Sequence, residues 1–261
     1  MLSEINLRID AFNNSDGFLI LKYSIIIPTL NEEKLLPSLL LSLINPSLRS
    51  KYPYEVIVSD GGSTDSTLAI AEKYSDKVVR YLPGETRTIA ACRSKGAKCA
   101  MGDNLLFINS DVRIDLESLL SASESEFVTS NYVAMTCPVR CLPELATVRD
   151  SIFSAVVNSY YFLSNSIGLG IARGELQMIK RRVYDNVDGY NEEIVVGEDY
   201  ELFTRIRRLG RVLFCRKLIV YESPRRYHSW GYLRTVLTWL STSMGPWFRK
   251  KSSYKDWEAI R

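Results

Sequence analysis

One pattern constrains this chain more than any other. An apolar run is followed by a polar loop rich in Asn, Asp, Gly or Ser and then by an amphipathic stretch, and the pattern recurs through the first 120 residues or so. The runs are "YSIIIPTL", "YEVIVSD", "DKVVRYL" and "NLLFIN". Such runs mark strands buried on both faces. Strands alternating with helices predict βαβ units around a mainly parallel sheet. Pro28 is expected to stop the first strand, because it donates no N–H. A helix is expected from Asn31, where Leu35, Leu36, Leu39, Leu40 and Leu43 fall at helical spacing. Further helices are predicted to about residue 74, over 87–101 and over 116–128.

The second half is less regular. "YVAMTCPVR" reads as one strand and 143–164 as a long helix. A strand follows near "ELQMIKR", then a short helix with a Gly turn in "RVYDNVDGYNEE". "EDYELFTRIRRLG" has a helical apolar stripe ended by Gly210, and "RVLFCRKLIVY" supplies one or two short strands.

Composition narrows the function classes. A net charge of +3, with no run of six basic residues and no zinc-finger spacing, argues against a nucleic-acid partner. Five cysteines at irregular spacing do not form a disulfide framework, so structural thiols in a reducing compartment are expected. The N-terminus has acids and no apolar h-region, and no run of 18 apolar residues occurs. A cytoplasmic protein is expected, one that rests at most on a membrane surface.

Three polar loops carry the chemistry: Pro28-Thr29 with Asn31-Glu32-Glu33, Asp60-Gly61-Gly62-Ser63-Thr64-Asp65, and Asn109-Ser110-Asp111. In a parallel sheet these loops leave the same edge and converge on one crevice. Glycines admit a ligand to the backbone, and Asp60 can accept N–H groups of a base or hydroxyls of a ribose. Each loop also serves as a helix N-cap, so the three together, rather than any one, favour a nucleotide pocket. There is no G-x-G-x-x-G and no Walker lysine. Arg87, Arg93 and Lys95 offer positive charge for phosphates, Arg93 above all. A carboxylate beside a diphosphate calls for a bridging Mg²⁺ or Mn²⁺. Glu198-Asp199 opens a helix behind Gly197; the helix dipole alone favours acids there, and a general base for a hydroxyl would occupy the same place.

The segments "YSIIIPTLNEEKLLPSLLLSL", "YEVIVSDGGSTDSTLAIAEKY", "CRSKGAKCAMGDNLLFINSDVRI" and "VVGEDYELFTRIRRLG" resemble the successive motifs of family 2 glycosyltransferases, across roughly residues 23–210. The resemblance implies a GT-A fold, α/β with a mainly parallel central sheet flanked by helices and a less regular acceptor-binding C-terminal half. It implies an enzyme that uses a UDP- or GDP-sugar donor, Mn²⁺ or Mg²⁺, and a glycan, lipid-linked or protein acceptor. Residues 1–22 would form an N-terminal extension, 23–128 the nucleotide-sugar half, 129–222 the acceptor-binding and catalytic half, and 223–261 a C-terminal tail.

The resemblance also implies roles. Pro28, Thr29 and Glu32 would line the nucleotide at the first loop, and Asp60 and Gly61 would hold the base. Arg93 stands where the family often has Arg before Asn, with Ser94 replacing that Asn. Asp111 is the final acid of a DxD-like motif and would bind the metal; Asn109 replaces its first acid and, with Ser110, would face the ribose or metal-bound water. Asp199 takes the catalytic-base position, with Glu198 beside it. Arg225 and Arg226 would reach the phosphates, as basic residues after this helix do in some relatives. Apart from the resemblance, His228, the sole histidine, is open to two readings: a ligand that completes the metal shell, or a packed or partly exposed side chain beside Tyr227 and Trp230. The tail from "WGYLRTVLTWL" to "GPWFRKK" mixes Trp with basic residues and suits a lipid interface or a second subunit. Two further readings are a nucleotidyltransferase of sugar phosphates and a non-catalytic nucleotide-sugar-binding protein. The first should carry a Gly-rich, basic first loop, and the missing acid at position 109 favours the second.

Overall fold

The computed structural model describes residues 21–82 and 84–239. The 1–22 extension, bar its last two residues, and the tail beyond residue 239 lie outside them. A seven-stranded sheet runs through both halves of the chain. Its strands are β1 (Tyr23–Thr29), β2 (Tyr54–Asp60), β3 (Lys77–Arg80), β4 (Asn104–Ile108), β6 (Ala134–Thr136), β8 (Leu176–Lys180) and β9 (Val212–Phe214), in the order β3-β2-β1-β4-β8-β6-β9. The first four are parallel, β8 is antiparallel to both neighbours, and β6 pairs parallel with β9. A three-stranded sheet of β5 (Val112–Arg113), β10 (Val220–Glu222) and β7 (Val139–Cys141) stands beside it.

Every residue of β1, β2 and β4 is buried, as apolar runs in a doubly covered sheet should be. Side chains alternate between two cores. Ile25, Ile27, Val56, Val58 and Leu106 meet α1 (Leu36–Ser42) and α5 (Leu116–Ala122). Ile26, Leu105 and Phe107 meet α4 (Ile89–Cys99) and α8 (Glu198–Ile206). Further helices are α2 (Pro46–Lys51), α3 (Thr67–Tyr74), α6 (Val148–Ser166), α7 (Arg181–Asn186) and α9 (Arg225–Trp230), and residues 232–239 are helical as well. At Gly96 of α4 a Cβ would overlap the Ile26 side chain, so glycine there sets how closely helix and sheet approach.

Several expected boundaries move. Strand β1 runs through Pro28 to Thr29. The Thr29 carbonyl accepts the Gly61 N–H on the β2 side, so Pro28 faces the β4 side, where pairing has already ended at Ile26. No donor is needed there, and proline is tolerated. The first helix starts at Leu36 rather than Asn31, because Asn31 is left-handed (φ 55°) and residues 31–33 bond the second loop instead. "YVAMTCPVR" is two strands, β6 and β7, in different sheets, separated at Cys137-Pro138; "RVLFCRKLIVY" likewise splits into β9 and β10. The 116–128 helix is α-helical to Ala122 and widens to π geometry over Ser123–Val128, where the Ser123 hydroxyl donates to the Leu119 carbonyl at 2.6 Å. The long helix starts later than expected, at Val148, behind a capping box of Thr147 and Asp150.

Candidate active site

The first two loops are stitched together at the carboxyl ends of β1 and β2. Asn31 N–H donates to Ser63 Oγ (2.8 Å) and Glu32 N–H to Thr67 Oγ1 (2.7 Å), while Thr64 N–H donates to Asn31 Oδ1 (2.7 Å). Asp60 is buried and shapes the second loop from within. One oxygen accepts Gly62 N–H (2.9 Å) and Ser63 N–H (3.0 Å), and the other accepts the Ser63 hydroxyl (2.5 Å) and, at 3.4 Å, that of Thr29. Arg87 donates to the Gly61 and Gly62 carbonyls. Thr29 and Pro28 are buried beneath this floor.

The third loop joins them through one cation. Arg225, at the start of α9, lies 2.9 Å from Asp111 Oδ2 and 3.6 Å from Glu32 Oε1. The first and third loops therefore converge within the span of one guanidinium, as strands ending on a common edge require. Arg225 also bears on whether a divalent ion fits. Among the described residues no group of three or more His, Cys, Asp and Glu side chains could enclose a metal. Yet Asp111 and Glu32 already gather around a positive charge, both are oxygen donors suited to Mg²⁺ or Mn²⁺, and such ions commonly complete their shell with phosphate oxygens and water. The donor set fits an ion held by Asp111 against a substrate diphosphate. It does not fit a closed protein cage.

At the other side of the crevice, adjacent acids meet different surroundings. Glu198 is buried and accepts from Arg93 Nη1 at 2.7 Å. Arg93 is itself fully buried; its Nη2 donates to Asn109 Oδ1 (2.8 Å) and to the Gly174 carbonyl (2.9 Å), and its guanidinium lies 5.5 Å from the Tyr190 ring centroid. The phosphate-clamp candidate thus ties α4, the third loop and α8 together. Asp199 is partly exposed and accepts the N–H of Tyr200 (2.8 Å). Gly174 backs both groups: a Cβ there would lie 3.1 Å from Arg93 Nη2 and 3.5 Å from Asp199 Oδ2. Desolvation, reinforced by the neighbouring Glu198 carboxylate, pushes Asp199 up to about 7, against the pull of Arg93.

A buried network next to these groups was not anticipated from the sequence. Arg173 donates to both oxygens of Glu175 (3.1 Å each) and to Glu222 (2.7 Å), and the Tyr227 hydroxyl donates to Glu222. Against the push of burial, Arg173 holds Glu175 down to about 2, while burial carries Glu222 up to about 7. Glu222 ends the apolar run "LIVYE", the signal that flagged Asp60 and Asp111, so it was open to discovery. Arg173 and Glu175 carried no such mark.

The remaining candidates lie around this core. Ser110 is buried beside Asp111, and the Asn109 N–H reaches the Glu175 carbonyl at 3.4 Å. Arg226 is exposed on α9. His228 Nε2 lies 3.0 Å from Asp150 Oδ2, a buried carboxylate that also accepts from Thr147 and Tyr232. Cys92, Cys137, Cys141 and Cys215 are buried free thiols packed in the interior, and Cys99 is an exposed one.

A family model described as glycosyl transferase family 2 matches residues 24–188. The chain belongs to that family. Among curated proteins it is 39% identical over 112 residues to the poly(ribitol-phosphate) beta-N-acetylglucosaminyltransferase TarS of Staphylococcus aureus, covering 40% of this chain and 18% of TarS. It is 31% identical over 178 residues to the 4,4'-diaponeurosporenoate glycosyltransferase of Staphylococcus haemolyticus, covering 64% of this chain and 46% of that one. The chain thus spans less than half of either relative. Among solved structures, the mannosyltransferase PcManGT of Pyrobaculum calidifontis, in complex with GDP-Man and Mn²⁺, superposes with a TM-score of 0.66 at 21% identity, over 95% of this chain and 71% of that one. Glucosyl-3-phosphoglycerate synthase of Mycobacterium tuberculosis, with Mn²⁺ and UDP-glucose, gives 0.57 at 16% identity, over 94% and 83%. The fold of this family 2 chain is of the GT-A type. No helix of its described residues is long and apolar enough to cross a membrane.

Proposed function

We propose that this chain transfers a sugar from a UDP- or GDP-sugar to an acceptor hydroxyl or phosphate with inversion at the anomeric carbon. The observation that carries the reading is the division of labour between Glu198 and Asp199: one acid is locked on Arg93, while its neighbour remains partly exposed with a raised proton affinity. A general base works best when its pKa lies near the operating pH.

In this mechanism the Asp60 loop and Thr29 seat the base and ribose, and Glu32 borders the diphosphate. A Mg²⁺ or Mn²⁺ ion held by Asp111, when bound, neutralises charge on the diphosphate; His228, now on Asp150, is a second candidate ligand. Arg225 and Arg226 add positive charge beside the leaving group. Asp199 accepts the acceptor proton as the acceptor oxygen forms its bond to the anomeric carbon. The bond from that carbon to the phosphate oxygen breaks, and its electron pair leaves with the nucleoside diphosphate. Glu198 and Arg93 hold the start of α8 in place. Residues 129–222 form the acceptor side. The acceptor is a glycan, a lipid-linked molecule or a protein, and the tail beyond residue 239 is a candidate for lipid or subunit contact.

The test is donor turnover with Mn²⁺ for the wild type, Asp111→Ala and Asp199→Asn. Wild-type turnover that survives unchanged in Asp111→Ala would sink the metal assignment. Tight donor binding with no turnover under any condition would favour the non-catalytic reading.

A further inference from the structure

Helix α6 presents an outward face that the transfer site does not use. Val148, Ile152, Val156, Leu163 and Ile167 are 60–77% exposed. At 3.6 residues per turn they fall within an arc of roughly 100°, along a helix of about 28 Å. Tyr160, also exposed, borders the stripe. The opposite side is fixed to the protein through buried Asp150, Ser154, Ser164 and Asn165. Between Asp150 and Arg173 the sequence has no charged residue. Ser159 is the exposed polar residue between Val156 and Leu163 in this arc, and an exposed apolar face of this length marks an interaction site.

The charge around the stripe selects the occupant. A groove of about 810 Å³ runs along one flank of α6, lined by Val148, Phe162 and Phe214 together with Arg140 and Arg216. Arg216 lies 5.1 Å from the Phe162 ring centroid, its charge at the edge of the apolar wall. Arg149 is exposed in the first turn. The nearby acid, Glu144, is paired with Arg113 at 2.9 Å, and Asp150 is buried. A second copy laid on this face would bring arginines together with no exposed acid on the helix to answer them. A surface with apolar chains below and phosphates above matches both halves of the pattern.

We propose that the outer face of α6 docks on an anionic lipid bilayer, with Val148, Ile152, Val156, Leu163 and Ile167 in the acyl boundary and Arg140, Arg149 and Arg216 at the lipid phosphates. The side of α6 that carries Phe153 is packed by Tyr227, Tyr232 and Trp239, next to the outward face.

Flotation of the full chain tests it, using vesicles of phosphatidylcholine alone or with roughly one third phosphatidylglycerol. The wild type should float with the anionic vesicles and lose most binding at high salt. Ile152→Glu with Leu163→Glu should weaken binding about tenfold or more. Arg140→Ala with Arg216→Ala should erase the preference for anionic vesicles. Because the substituted side chains are exposed, thermal melts should match wild type; should the Glu pair fail to fold, Val156→Ser with Ile167→Ser provides the milder variant. Three results would overturn the proposal: a wild type that binds no vesicles, Glu variants that bind as wild type and so locate the contact elsewhere, or a wild-type dimer that the variants dissociate without any vesicle binding.

Discussion

Glu198 and Asp199 differ by one methylene and one position, yet the fold gives them different surroundings, one held on Arg93 and the other partly exposed. Replacing Asp199 by Asn keeps the shape and removes the proposed base, so transfer should fall by about 10²–10⁴ with donor binding retained, read by steady-state kinetics beside calorimetric binding of the nucleoside diphosphate. In the wild type kcat/KM should rise through a midpoint near pH 7, since only the ionised carboxylate accepts a proton. Arg93→Met should act on stability: it leaves Glu198 buried without its partner, which costs about 3–5 kcal/mol, measurable by urea denaturation. Asp60, Asp111 and Asp199 were legible in the sequence because each follows an apolar run or opens a helix. The full burial of Arg93 was not, because a basic residue on a helix is ordinarily solvated and only its partners across 105 residues of chain reveal otherwise.

Among elements, the strands read most clearly and the starts of helices least. A strand buried on both faces announces itself by composition alone, and β1, β2 and β4 did so. The entry into α1 was obscured because Asn31, Glu32 and Glu33 look like a helix cap but bond across to the second loop. That competition is local in energy and long-range in sequence. The approach of α4 to β1 gives a test at this scale. Gly96→Val should lower stability by about 1–3 kcal/mol, because the new side chain meets Ile26 on a strand buried on both faces and cannot be relieved by a surface rotamer. The expected check is a lower urea midpoint with the m-value unchanged.

At the scale of the whole molecule, the two cores hold a sheet edge on which four buried or partly buried acids, Glu175, Glu198, Asp199 and Glu222, face two buried arginines, Arg93 and Arg173. The excess of acid makes stability depend on pH in a definite direction. Asp199 and Glu222 are raised, so their contribution is full below the ordinary carboxylate range and is lost as pH climbs to about 7. Asp150 and Glu175 are depressed to about 2, so theirs is present above that range and lost as pH falls towards 2. The melting temperature should therefore decline between pH 5 and about 8, and Glu222→Gln should flatten the decline. The sequence by itself determined the parallel α/β sheet, the two-sided core and the three loops that meet at one edge. Hydrophobic periodicity and turn chemistry are local properties, and a parallel sheet brings successive strand ends together without further information. The tertiary structure alone decided which acid is neutralised and which remains available, that Arg225 sits between Glu32 and Asp111, and that one face of α6 is left uncovered. Those outcomes depend on burial and on partners distant in the chain, and neither is written in the local pattern of residues.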